Sequence, residues 1–223
     1  MSEEFDDFLE KQGEIYRKFK DTSEVKANGV KSHNLAGKGG YLVIFRPQQR
    51  IADKVEKFTQ RIAQVVPSIP YGAETVHTTI SDYKVGENFK PEQVILDGLS
   101  RAVHSVHGQL KGVNMGFNRP WLYNAGAVIV PGYPNRAFFD SCQAVINSAG
   151  NQGLELRQPW GAHMTTARFT EDVPPKQLED FFTLMGEAPI LGESEPPSID
   201  VGYFQAERNS FTVHTVHEYK FDI

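Results

Sequence analysis

Apolar side chains recur every three to four positions through the first twenty residues, at Phe5, Phe8, Leu9, Tyr16 and Phe19, with Gln12 on the same stripe. That spacing predicts an amphipathic helix whose stripe needs a surface to dock on. A polar, glycine-rich stretch follows over 21–40, and then the period changes. Tyr41 to Phe45 is an unbroken apolar run stopped by Pro47 and reads as a strand. Ile51, Val55, Phe58, Ile62 and Val66 mark one helix face, ended by Pro67 and Pro70. Thr75 to Ile80 reads as a second strand. Pro91 opens a helix carrying Val94, Ile95, Leu99, Val103 and Val106, and Gln109 to Phe117 reads as a third strand.

The same order then returns. Leu122 to Val130 predicts a strand, Asn135 to Ala149 a helix with Phe138, Cys142 and Val145 on one face, and Ala162 to Phe169 a strand. Gln177 to Met185 predicts a helix through Leu178, Phe181, Phe182 and Met185. After the linker Glu195-Pro196-Pro197, Ile199 to Ala206 and Phe211 to Phe221 form a closing hairpin. A strand–helix–strand–helix–strand unit thus occurs twice, with negligible identity between the copies. The expected architecture is α+β and bilobal, one lobe about 41–118 and the other about 119–223, with exchange of strands between them left open. Residues 1–40 form an N-terminal helix and extension.

Composition narrows the function classes. The 223 residues carry 23 Lys+Arg and 28 Asp+Glu, so the net charge is 23 − 28 = −5, and 39% are hydrophobic. That balance suits a packed globular chain. A pI near 5.8 argues against a clamp on long duplex nucleic acid, which needs a basic footprint. The first residues are acidic where a signal or transit peptide is basic, and no apolar run approaches the roughly 18–20 residues of a membrane span. Cys142 is the single cysteine, so no intrachain disulfide forms, and a cytoplasmic, reducing location is expected. Its apolar helical setting reads as a buried, inert thiol. Gly37-Lys38-Gly39-Gly40 lacks the P-loop spacing and precedes a strand, so it reads as a turn.

The chemistry lies in a repeated tripeptide. The middle strand of each unit contains His-x-Thr, as His77-Thr78-Thr79 and His163-Met164-Thr165. Chance gives about 0.35 such tripeptides in a chain of this His and Thr content, so two in equivalent strands are a rare coincidence. Alternation along a strand puts His77 with Thr79, and His163 with Thr165, on one face, while Val76, Thr78, Ile80 and Met164 face the other. If the two faces oppose each other, two imidazoles and two hydroxyls converge. That set suits metal-free phosphodiester cleavage. One neutral imidazole removes a proton from water or a ribose 2′-hydroxyl, and the other, protonated, donates to the leaving oxygen. The threonines hydrogen-bond the non-bridging oxygens.

With these motifs the chain resembles the two-histidine (2H) phosphoesterase superfamily, which includes 2′–5′ RNA ligase-like proteins and cyclic nucleotide phosphodiesterases. The resemblance runs from about Tyr41 to the C-terminus. It implies two pseudo-symmetric halves, each an antiparallel sheet flanked by helices, around a central cleft. It implies His77 and His163 as the acid/base pair and Thr79 and Thr165 as phosphate binders. Many ligase-like members carry an Arg five residues past the second His, where Arg168 stands; Thr166 departs from their usual Leu. The expected activity is a phosphodiesterase acting on a 2′,3′-cyclic phosphate, a 2′–5′ linkage, a cyclic di- or oligonucleotide or an RNA end. The alternative is a non-catalytic module that binds the same ligand, a small nucleotide or short RNA end.

Three further residues are candidates for substrate binding. Parity turns Arg168 away from His163 unless a bulge intervenes, so a structural salt bridge competes with phosphate contact. Tyr83 shares the face of Thr79 by parity and is suited to stack on a base, as is Trp160 before the second motif. His104 and His107 lie three apart on a helix with no Cys or close carboxylate to complete a zinc site, and His214 and His217, three apart in a strand, face opposite sides, so neither metal nor cofactor is expected.

Overall fold

A computed structural model of the chain describes residues 2–32 and 35–221. The elements run α1 (Ser2–Lys20), α2 (Ser23–Asn28), β1 (Lys38–Phe45), α3 (Gln49–Val65), β2 (Ser68–Pro70), β3 (Thr78–Glu87), α4 (Gln93–Val106) and β4 (Met115–Phe117). They continue with β5 (Leu122–Tyr123), β6 (Ala127–Pro131), β7 (Tyr133–Pro134), α5 (Arg136–Gly150) and β8 (His163–Phe169). The last are α6 (Glu179–Met185), β9 (Gly192–Ser194), β10 (Ser198–Ala206) and β11 (Phe211–Lys220).

The fold is α+β and antiparallel, with one difference from two separate lobe sheets. The strands of both halves merge into one sheet ordered β11-β10-β1-β3-β8-β6-β5, with β2 also on β8. The halves join where β3 meets β8, through the single pair Thr78↔Met164. The third strand of the first unit, β4, pairs with β7 and with β9, a short strand that the sequence pattern does not predict, in a small second sheet. Helices and strands cross the midline. The C-terminal hairpin β10–β11 extends β1, and β2 pairs with β8. Helix α3 packs on β2, β8 and α6, while α5, from the second half, packs on β3 and α4.

The apolar faces read from the sequence fill the core. Ile51, Val55, Phe58 and Ile62 of α3 are buried, as are Phe138, Cys142 and Val145 of α5. Burial drives the Cys142 thiol well above its ordinary pKa, as expected for an inert cysteine. Several elements differ from expectation: β2, β7 and β9 are additional short strands, and β3 runs on to Glu87. Helix α4 starts at Gln93, after Pro91, and Val94 is exposed. Leu122–Val130 is a hairpin, because Asn124 Oδ1 accepts the N–H groups of Gly126 (2.8 Å) and Ala127 (3.0 Å) and turns the chain inside the apolar run. Only Met115–Phe117 of the third expected strand is extended. The polar stretch over 21–40 contains α2, and Val30 bridges to Val173. Gly37 takes the turn expected there, with φ 77°, while Gly39 and Gly40 lie within β1. Among the described residues no helix is long and apolar enough to cross a membrane.

Candidate active site

The Thr78↔Met164 pair sits at the centre of the site. Both of its side chains are buried on the core side. Antiparallel pairing at that point sets His77 beside Thr165 and Thr79 beside His163, so a local two-fold axis through the pair exchanges the two motifs. The motif strands are therefore neighbours in one sheet and do not face each other across a gap. His77, Thr79, His163 and Thr165 all line one cavity of about 400 Å³ over this junction. A volume in that range suits a small ligand.

Each motif strand carries a β-bulge just after its threonine. On β8, Ile129 pairs with Thr165 and Val128 with Ala167, leaving Thr166 as the extra residue; its hydroxyl donates to the Val128 carbonyl at 3.1 Å. On β3, Ile44 pairs with Thr79 and Val43 with Ser81, leaving Ile80 extra. A bulge inverts parity beyond it. It turns Arg168 onto the cavity face, where its Nε donates to the Tyr71 hydroxyl at 2.9 Å. It turns Tyr83 off that face, so Tyr83 packs opposite Tyr41 on the core side and does not line the cavity. Asp82 takes the cavity position instead.

The two histidines are held alike. His77 starts the motif in the turn preceding β3, and its Nδ1 donates to the Thr75 carbonyl at 2.6 Å. His163 opens β8, and its Nδ1 donates to the Gly161 carbonyl at 3.2 Å. A carbonyl only accepts, so each ring carries its proton on Nδ1 and keeps a lone pair on Nε2. Burial pushes His77 down to about 4, with Arg46 and Arg168 lowering it further against the opposing carbonyl bond and Asp200. Burial likewise pushes His163 to about 3, aided by His77 and Arg168. Both imidazoles are therefore neutral near pH 7 in the ligand-free protein.

Aromatic rings flank both histidines. The Trp160 indole stacks on His163 with centroids 3.8 Å apart and planes at 21°. On the other side Phe211 lies parallel to His77 at 6.5 Å and stacks on Tyr71 (4.6 Å) and Phe204 (5.1 Å). Tyr71, Phe204, Phe211, Asp82 and Arg157 line the cavity without having been marked by the sequence. Phe211 opens an ordinary-looking strand, and Arg157 lies in an irregular loop. A second cavity of about 430 Å³ shares Trp160, His163, Thr165 and Arg168 with the first and reaches Ile15 and Phe19 of α1. The cleft thus has two compartments meeting at the second motif.

Of the other histidines, His104 and His107 pack against Tyr219, and His214 stacks on Tyr203. Among the described residues no three His, Cys, Asp or Glu side chains are grouped to hold a metal ion.

No family model matches the chain, and no curated protein does. Among solved structures, Escherichia coli LigT complexed with 3′-AMP matches with TM-score 0.51 and 13% identity, over 83% of this chain and 99% of LigT. A structure described as a phosphoesterase matches at 0.48 and 13% identity, over 82% of this chain and 97% of its own. Kluyveromyces marxianus Usb1 matches at 0.38 and 13%, over 81% and 98%. The chain has the fold of LigT.

Proposed function

We propose that this chain is a 2H phosphoesterase that cleaves a phosphodiester in a small nucleotide or at a short RNA end by histidine acid–base catalysis. The observation that carries the reading is the two-fold arrangement of His77-Thr79 and His163-Thr165 on one cavity face, with Arg168 brought alongside by a bulge. The shared fold with LigT, seen there with 3′-AMP, supports a nucleotide ligand. Two compartments meeting at the second motif suit a phosphorus carrying a group on either side, as in a diester.

The chemistry follows from the hydrogen bonds. With Nδ1 tied to a carbonyl, Nε2 of one histidine accepts the proton of a water or a ribose 2′-hydroxyl as that oxygen bonds to phosphorus. The P–O bond to the leaving oxygen breaks, and the other histidine donates its Nε2 proton there. Its carbonyl bond steadies the imidazolium form, and a bound phosphodiester anion raises the pKa that burial had lowered. Thr79, Thr165 and Arg168 hold the non-bridging oxygens, where negative charge gathers. The reaction begins and ends with one proton shared between two equivalent bases, so either histidine serves as base for a given direction of attack.

A panel of 2′,3′-cyclic nucleotides, 2′–5′ dinucleotides and cyclic dinucleotides, with products identified by mass and by 2′- or 3′-phosphate position, tests the reading. Turnover lost by about 10²–10⁴-fold in His77→Ala and in His163→Ala, and unchanged by EDTA, is expected. Full activity in either folded variant excludes the mechanism; ligand binding without product leaves a binding module.

A further inference from the structure

Helix α1 lies before both units, yet it ends at the second motif. Each of the three residues preceding His163 is held by it. The Ala162 N–H donates to Gln12 Oε1 at 2.8 Å. The Tyr16 hydroxyl donates to the Ala162 carbonyl at 2.7 Å and accepts the Gly132 N–H at 3.0 Å. Gly161 admits the Gln12 side chain, since a Cβ there would stand 2.8 Å from Gln12 Cγ. Trp160, stacked on His163, is backed by Tyr16 edge-on at 5.9 Å and Phe19 face-on at 6.4 Å.

Gln12 and Tyr16 are both 2% exposed, so these bonds are shielded from competing water. The first motif has a different support. There Arg46 donates to the Glu74 carbonyl at 2.8 Å, just ahead of His77, and is itself paired with Asp200. From the second unit's own chain, the Gly132 N–H also donates to the Ala162 carbonyl at 2.7 Å, and α1 adds the bonds of Gln12 and Tyr16 to that contact.

We infer that α1 is a working part of the active site and that Gln12 and Tyr16 are positioning residues for His163. They fix the Gly161 carbonyl that orients the His163 ring, and through Trp160 they fix the face on which that ring lies. Displacing a reacting group by even about 1 Å costs as much as 10²-fold in rate. The inference rests on His163 acting in catalysis, and the test separates the two ideas.

Gln12→Met keeps the length but removes the acceptor, Gln12→Glu keeps the acceptor, and Tyr16→Phe keeps the rings on Trp160 but removes the hydroxyl. With 2′,3′-cyclic AMP as probe, Gln12→Met and Tyr16→Phe should lower kcat about 10- to 100-fold with little change in KM. Gln12→Glu should recover most of the loss. In the same proteins, imidazole ¹⁵N spectra should show the His163 resonances moved and those of His77 unmoved. The spectra need no turnover, so they decide the positioning role even if the probe is not a substrate. Should Gln12→Met fail to fold, Tyr16→Phe carries the test alone. Folded variants with kcat within twofold of the parent, or with His163 resonances unmoved, overturn the inference.

Discussion

Asp82 and Arg168 occupy equivalent places on the two motif strands, each three residues past a motif threonine and each turned into the cavity by the intervening bulge. Their opposite charges give the cleft a polarity that its two-fold backbone lacks. Arg168 favours a phosphate. Asp82 opposes one, and partial burial raises its carboxyl pKa against the lowering effect of Arg157.

A carboxylate beside a phosphate site acts on charge, and a phosphomonoester dianion feels it about twice as strongly as a diester monoanion. Under the proposed function, Asp82 is therefore expected to discriminate against the product of hydrolysis. Asp82→Asn should tighten a nucleoside monophosphate by roughly five- to tenfold, about 1 kcal/mol, and tighten a diester by less. Product inhibition measured beside diester KM checks this. Equal changes for both ligands would remove the charge explanation.

The histidine pKa values set the pH dependence. The proposed mechanism needs one imidazole charged and one neutral. In the free protein that form is most populated near pH 3–4, since His77 titrates at about 4 and His163 at about 3. Above pH 4 the charged member is lost as pH rises. The value of kcat/KM, which reports the free protein, should therefore fall steadily from pH 5 to 8. The kcat profile should hold to higher pH, because the bound anion raises both values. A kcat/KM that is flat or rising over that range contradicts the assignment.

Much of this site was legible in the sequence because it depends on alternation. Val76, Thr78, Ile80 and Met164 are buried where period two puts them, and His77, Thr79, His163 and Thr165 share the opposite face. Alternation also explains the misplacements. Thr166 and Ile80 look like ordinary strand residues, so nothing in the sequence marks them as bulged, and simple alternation misplaces Arg168 and Tyr83 beyond them. Alternation alone therefore puts Tyr83 in the cleft, whereas Asp82 lines it. Long-range partners were equally hidden: the Phe211 stack on Tyr71, and the bonds of Gln12 to Ala162, join positions whose separation carries no local period.

The two aromatic walls should separate in kinetics. Phe211 flanks the cavity beside His77 as part of a stack with Tyr71 and Phe204, and its ring is parallel to the histidine at 6.5 Å, beyond direct contact. Phe211→Ala should raise KM by about 5- to 150-fold, the loss of one base-stacking surface at about 1–3 kcal/mol, with kcat little changed. Trp160 touches His163 itself. Trp160→Ala should lower kcat as well as weaken binding. If Phe211→Ala lowers kcat while Trp160→Ala changes only KM, the two rings have been assigned to the wrong roles.

The support of His77 predicts a linked loss of stability and rate. Asp200 Oδ2 accepts from Arg46 Nε at 2.7 Å and from the Thr215 hydroxyl at 3.0 Å, while Oδ1 accepts from Ser198 at 3.0 Å. The pair is 17% and 6% exposed at its side chains, so removing the acid strands a guanidinium in a poorly solvated place. Breaking such a pair costs about 3–5 kcal/mol, whereas losing a solvent-exposed pair such as Lys31–Asp172 costs little. Arg46 also donates to the Glu74 carbonyl, so its release loosens the turn that carries the Thr75 carbonyl and hence the His77 ring. Asp200→Ala should lower the urea midpoint markedly and, under conditions where it remains folded, lower kcat as well. Asp172→Ala is the control and should leave both unchanged. An Asp200→Ala protein destabilised by several kcal/mol but with its full kcat at low temperature would show that the ion pair supports the fold without positioning His77.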